Sequence, residues 1–346
     1  MTLTDFKAKL KSKAPYGWYI ISGEEEYLKR YYRNEIKKLI VSDDDPFAFF
    51  NYSSFDGGAD FDIMAFIDAV KSPPMMADHK LIEWHFADLD RLKEKELRAL
   101  TELAAERSDY PYATVVISAL PDGFDQGTQK KPTKLYKSLS ECFDILNFEK
   151  STDAQLSAWI AKHFAARAIS VSRETVAEIL MRVGHSMQAL AFEIDKLCAY
   201  AGAHSLGEIS TLDVAEICSA TIESEAFAIS NAIIEKNIEK AFLALADMKM
   251  QRIDPTVIIA QLAKTYADLM SVALFSEEGK SAADTAAIMK FHPYKLGLYM
   301  TAAKKLGSEK IAASLSSLIK TDAASKSGGI AGYEAVEIFI SQNIGR

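Results

Sequence analysis

Apolar positions fall into two textures along the chain. Up to about residue 150, short apolar runs alternate with longer stretches in which apolar residues recur every three or four positions. The run Trp18-Tyr19-Ile20-Ile21-Ser22 predicts a buried strand ended by Gly23. From there to about residue 40, Tyr27, Leu28, Tyr31, Ile36 and Leu39 keep close to a 3.6-residue period and predict a helix. The same reading places strands within 47–55 and over 81–86, 114–118 and 143–148. It places helices over 1–12, 60–70, 93–107 and 133–140, and a turn over 43–46. Strands alternating with helices predict a parallel three-layer α/β sheet over 1–149. Beyond residue 150 the strand signals stop. Four helices over 150–220 predict a small bundle, and five or so longer helices, broken near Asn237, Pro255, Gly279, Pro293, Gly307 and Gly328, predict a larger all-α domain over 221–346.

One stretch departs from this patterning. Phe66, Ile67 and Val70 suit one face of a helix, Pro73-Pro74 forbid its continuation, and Leu81-Ile82 begin the next strand. Between them lie Met75 and Met76, two large hydrophobes where a turn ordinarily carries polar residues. An apolar pair beside a rigid proline kink suits another protein's pocket. Methionine also fills gaps over its own core, which is its commoner use, and the stretch by itself leaves both readings open.

The total composition narrows the classes. The 346 residues are 49% hydrophobic and 25% charged, with a formal net charge of −8, so there is no global basic footprint for nucleic acid. Cys142, Cys198 and Cys218 are far apart, which argues against a disulfide framework and a zinc site, and the histidines form no H-E-x-x-H. No signal-peptide core and no stretch of ~18 apolar residues stands out, and a cytoplasmic location is expected.

The strand-Gly-helix opening at Gly23 is where an α/β domain would place a phosphate loop. Such a loop requires G-x-x-x-x-G-K-[ST]. Here the second glycine position is Leu28, the hydroxyl position is Arg30, and only Lys29 matches. Glu24, Glu25 and Glu26 also set three carboxylates where phosphates would lie. Gly23, Glu24 and Lys29 therefore mark a degenerate site, and no nucleotide cofactor, metal or catalytic residue is expected. Lys130, Lys131 and Lys134, with Lys137, form the most basic local cluster and are candidate DNA contacts, although such clusters are more often solvated surface. Asp322 with Lys326, and Glu193 with Lys196, read as surface ion pairs.

Several stretches taken together resemble the delta-subunit family of bacterial DNA polymerase III clamp loaders, within the AAA+ clamp-loader proteins. They include Trp18 to Leu28, Pro73 to Ile82, Lys134 to Leu139, Glu193 to Tyr200, Asp254 to Ala263, His292 to Lys295 and Asp322 to Gly329. The resemblance implies a Rossmann-like AAA+ module with a parallel sheet, a helical lid and a C-terminal helical collar. It implies a non-catalytic subunit that binds the sliding clamp (beta) and opens or holds open its ring during loading onto primed DNA. The implied partners are the ATPase subunits (tau/gamma) and delta-prime, in a pentameric ring belonging to the polymerase holoenzyme. In that family a hydrophobic pair, usually Leu-Phe, contacts the clamp. The matching positions here are Met75 and Met76, with Pro74 and His79 at the rim. Other outcomes left open are a delta-prime-like inactive ring subunit and an active ATPase.

Overall fold

The strand Trp18–Ser22 (β1) sits near the middle of a sheet, and the structure shows why its run is unbroken in apolarity. It is a computed structural model and describes residues 1–41, 46–58, 61–128, 130–329 and 332–344. The chain divides into two units, Met1–Ser151 and Thr152–Arg346.

In the first unit, helix α1 (Leu3–Lys11) precedes β1, and α2 (Glu26–Ile40) follows it. The order continues with β2 (Tyr52–Asp56), α3 (Ile63–Lys71), β3 (Lys80–Ala87), α4 (Glu94–Ala105), β4 (Ala113–Ala119), β5 (Gly127–Thr128), β6 (Lys131–Pro132), α5 (Lys134–Ser140) and β7 (Asp144–Asn147). Five strands form one parallel sheet in the order β2-β3-β4-β1-β7, and β5 and β6 make a small antiparallel hairpin of their own. Side chains alternate between two cores, as the pleat requires. Trp18 and Ile20 face Phe66, Ile67, Val70 and Leu100, while Tyr19 and Ile21 face Phe6, Tyr32 and Ile36. Burial on both faces is what makes the strand read as a continuous apolar run.

All five strands point the same way, so the sheet has two chemically different rims. Gly23 and the 121–133 connection lie at the carboxyl ends of the strands. The α3–β3 connection, with Met75 and Met76, lies at the amino ends.

Two expectations are corrected here. The strand placed within 47–55 begins only at Tyr52, because Ala48–Phe50 form a 3₁₀ turn and leave Phe49 and Phe50 exposed. The helix placed from residue 60 starts at Ile63, where the Asp62 side chain accepts the N–H bonds of Met64 and Ala65. Asp60 and Asp43 to Asp45 lie outside the described residues.

The second unit holds α6 (Asp153–Ala165), β8 (Ser170–Val171), α7 (Arg173–Val183), α8 (Met187–His204), β9 (Glu208–Ile209) and α9 (Thr211–Ile217). These are followed by α10 (Ile222–Ile234), α11 (Ile238–Met250), α12 (Pro255–Glu277), α13 (Ala282–Met289), α14 (Pro293–Leu306), α15 (Ser308–Lys326) and α16 (Tyr333–Asn343). The last segment therefore has seven helices among the described residues, where five or so were expected. Polar residues cap their starts: the side chains of Thr152, Ser172, Ser210, Thr221, Asn237, Asp254 and Ser281 each accept a first-turn N–H. Helix α12 is long and apolar enough to cross a membrane by length and composition, a stretch the sequence reading did not single out. It is the central core helix of this unit, burying Ile258, Leu262, Tyr266, Leu269 and Val272 against α10, α14, α15 and α16. Lys326 pairs with Asp322 at 2.7 Å on the surface, whereas Glu193 is buried and takes both Lys196 and the Ser219 N–H.

Candidate functional site

The α3–β3 turn is held at three points. At its start, three carbonyls around the end of α3 are occupied. Asp68 accepts from Ser72, Lys71 from the Tyr112 hydroxyl at 2.6 Å, and Ser72 from the Lys80 ammonium at 2.9 Å. Lys80 is buried, and burial pushes its pKa down from the ordinary lysine value. Its charge sits at a helix C-terminus, where the helix dipole favours a cation. In the middle, the side chain of Asn51 grips the Met75 backbone from both sides: its Nδ2 donates to the Met75 carbonyl at 2.8 Å, and its Oδ1 accepts from the Met75 N–H at 2.7 Å. At its end, the His79 ring stacks on Tyr16 with centroids 3.8 Å apart.

The side chains that this frame presents are apolar. Met75 is 48% and Met76 80% exposed, so neither is a gap-filler in the core. Met76 adopts φ +53°, a left-handed backbone that glycine would take at no cost and a methionine takes at a cost of about 1–2 kcal/mol. Stability by itself would favour glycine here and a polar side chain on either side of it. Pro74 is half-buried and flanks the pair. His79, expected at the rim, is instead half-buried under Tyr16, with its Nδ1 buried and unbonded.

Sequence reasoning missed Phe49 and Phe50, which are 85% and 56% exposed and touch each other edge to face at 5.7 Å. They immediately precede Asn51, so their apolar surface lies beside the methionine turn. The available signal was two aromatics in succession, which a half-buried strand with strict alternation would not place on one face. Asn51 itself carried no local signal, because its partner is 24 residues away.

The glycine turn after β1, expected to be a degenerate phosphate loop, occupies the opposite rim. Gly23 has φ +100°, and a Cβ added there would lie 2.2 Å from the Phe148 carbonyl oxygen. The glycine is thus required by the close passage of the chain leaving β7. The same carbonyl accepts the Glu25 N–H at 2.9 Å, taking up an amide that a phosphate loop would turn toward its ligand. Lys29 is buried with its ammonium on the Ala119 carbonyl at 2.9 Å, beside Glu26. Glu24 pairs with Lys150 at 3.0 Å, and burial raises the pKa of Glu25. A cleft of about 1090 Å³ opens at this rim, lined by Glu24, Asp122, Asp125 and Glu149, with Lys150 as the one lining cation among the described residues. Its carboxylates make it a poor host for a polyphosphate.

Lys130, Lys131, Lys134 and Lys137 are all exposed, on the β5–β6 hairpin and α5. Lys130 and Lys131 sit on the connection that also supplies Asp122 and Asp125, so the local positive field is partly cancelled. Among the described residues no cluster of three or more His, Cys, Asp or Glu side chains could hold a metal ion. His85 belongs to a half-buried polar group on β2 and β3. The Arg33 guanidinium reaches its Nδ1, Glu83 lies 3.7 Å from its Nε2, and Tyr52 donates to Glu83 at 2.7 Å. Burial and the Arg33 charge hold the His85 pKa below its ordinary value.

Comparison with known proteins covers both units. The family described as "DNA polymerase III, delta subunit" matches residues 19–147, which contain both rims, and "DNA polymerase III delta subunit, C-terminal domain" matches residues 223–343. The chain is similar to DNA polymerase III subunit delta of Bacillus subtilis (strain 168), at 24% identity over 348 residues, covering 99% of this chain and 97% of that one. Its fold is similar to that of the Bacillus subtilis DNA clamp loader delta protein, with a TM-score of 0.61, 22% identity and 99% of each chain covered. The two matched stretches carry the same description and together make up most of the sequence, and on them the chain belongs to the DNA polymerase III delta subunit family.

Proposed function

We propose that this delta-family chain is the clamp-binding member of its clamp loader, a subunit without ATP chemistry of its own. It binds the ring-shaped sliding clamp through Met75 and Met76 and holds one interface of the ring open while the clamp is placed on primed DNA. The observation that carries this reading is the turn itself, an apolar pair presented on a backbone fastened at both ends and in the middle. Such preorganisation lets burial of the side chains count toward affinity instead of toward ordering a loop. Full burial of the two methionines supplies about 2–4 kcal/mol, enough for a hot spot but not for a whole interface.

In this reading, residues 150–220 form the lid and 221–346 the collar that joins the chain to ATPase subunits and a delta-prime-like partner. Nucleotide binding in those neighbours moves the first unit so that the turn reaches the clamp. Lys130, Lys131 and Lys134 remain the candidates for a DNA backbone contact made as part of the complex.

The test is binding of the purified chain to its sliding clamp, for wild type and for Met75→Ala/Met76→Ala, with thermal unfolding followed in parallel. The expected result is at least tenfold weaker binding at an unchanged Tm. Unchanged binding would remove the turn from the interface. Lost stability would return the methionines to a packing role.

A further inference from the structure

We propose that Asn51 is the positioning residue of the clamp contact, locking the Met75–Met76 turn outward and tying Phe49 and Phe50 to the same rim. The proposal rests on the clamp-binding reading above.

Asn51 is 2% exposed, and each of its polar groups has a partner. Its backbone N–H donates to the Ala48 carbonyl at 3.1 Å, and its carbonyl accepts from the Leu81 N–H at 2.9 Å, joining the entry of β2 to β3. Its carboxamide then spends both ends on one distant residue, Met75. A planar amide set against a peptide N–H and C=O reproduces one rung of a β-ladder, and few side chains can do so from here. Aspartate has no donor for the carbonyl, serine is too short to reach both groups, and glutamine is one methylene too long.

The turn needs this grip. Pro73 and Pro74 fix φ up to residue 74, and the next anchor is the Tyr16–His79 stack. Between them, the Asn51 pair is the hydrogen-bonded anchor among the described residues, and directly after it comes Met76 in its left-handed conformation. A turn released at Met75 relaxes toward ordinary backbone angles, and two exposed methionines then fold onto the protein's own apolar surface. Binding would have to undo that collapse and restore the order. The residue that holds Met75 is also the covalent neighbour of Phe50, so the placement of the aromatic pair relative to the methionines is set by the same side chain.

The experiment measures clamp affinity of the full chain for wild type, Asn51→Ala, Asn51→Asp, Met76→Ala and the Asn51→Ala/Met76→Ala double variant. It is paired with thermal unfolding and hydrogen exchange at the Met75 amide. Asn51→Ala is expected to weaken binding about tenfold and to speed exchange at Met75, and Asn51→Asp at least as much, because it sets a buried carboxylate oxygen against the Met75 carbonyl in place of the donor. The double variant should lose less than the product of the two single losses, since Asn51 acts through the turn that Met76 occupies. A residue that mattered only for general stability would multiply its effect in both backgrounds. Wild-type affinity in Asn51→Ala, or full multiplicativity in the double variant, overturns the proposal. If Asn51→Ala does not fold, Asn51→Ser, neutral and polar but too short to reach both Met75 groups, decides in the same way. Failure of the wild type to bind the clamp overturns the clamp reading itself, whereas binding that ignores Asn51 overturns only this proposal.

Discussion

Lys29 shows how a single side chain can match a motif and do something else. It stands at the lysine position counted from Gly23, yet its ammonium is buried on the Ala119 carbonyl at the end of β4. Lys29→Ala strands that carbonyl and is expected to cost about 2 kcal/mol, seen as a lower Tm. Millimolar Mg-ATP should leave the Tm of wild type and variant alike unmoved. A ligand present at a hundred times its Kd would add ~2.7 kcal/mol and be plain in the same melt. The missing second glycine and hydroxyl after Gly23 were legible as departures from the phosphate-loop pattern. What Gly23 and Lys29 do instead was not, because Phe148 and Ala119 reach them only through the parallel sheet. Met75 and Met76 were legible as odd residues for a turn, but whether they pointed in or out depended on Asn51.

At the scale of elements, the runs whose burial is two-sided were the easiest to read. Trp18–Ser22 matches its expected bounds residue for residue, since a strand covered on both faces is apolar throughout and Gly23 must end it. Ala113–Ala119 is nearly as clear for the same reason. The approach to β2 misled because aromatic content was taken as a strand signal, and Phe49 and Phe50 instead lie in a 3₁₀ turn with their rings exposed. That placement gives the rim more apolar surface than two methionines supply. Phe49→Ala/Phe50→Ala is expected to weaken clamp binding about tenfold or more while the Tm stays within a degree or two, because neither ring is packed in the core. Titration of the clamp against both proteins, with melts alongside, checks it.

For the whole molecule, the change of texture near residue 150 was the broadest signal and falls close to the division between the two units at Ser151. The second unit builds its own core around α12, with Ala226, Leu245, Leu269, Tyr299, Leu318 and Phe339 all buried in one cluster. A fragment spanning 152–346 is therefore expected to unfold cooperatively, with a calorimetric enthalpy near 0.7 kcal/mol per residue at about 60 °C. A broad, non-cooperative melt would mean that this unit depends on the first. The number of helices after residue 221 was underestimated although the punctuation was there: the breaks near Asn237, Pro255, Gly279, Pro293, Gly307 and Gly328 mark off every helix from α10 to α16, and the short α13 was not counted as one of its own.

The tip of the turn is also a matter of sulfur chemistry. At positions where leucine or phenylalanine would also give an apolar tip, this chain presents two thioethers, one of them with four-fifths of its surface in water. A mild oxidant such as peroxide turns a thioether into a sulfoxide, a polar and chiral group that no longer suits an apolar pocket, and reductases can turn it back. Because the backbone of the turn is held by Asn51, Lys80 and Tyr112, such a change would alter the contact without unfolding its support. The same residues that adapt easily to a groove thereby leave the contact open to chemical erasure and repair, which leucine and phenylalanine would not.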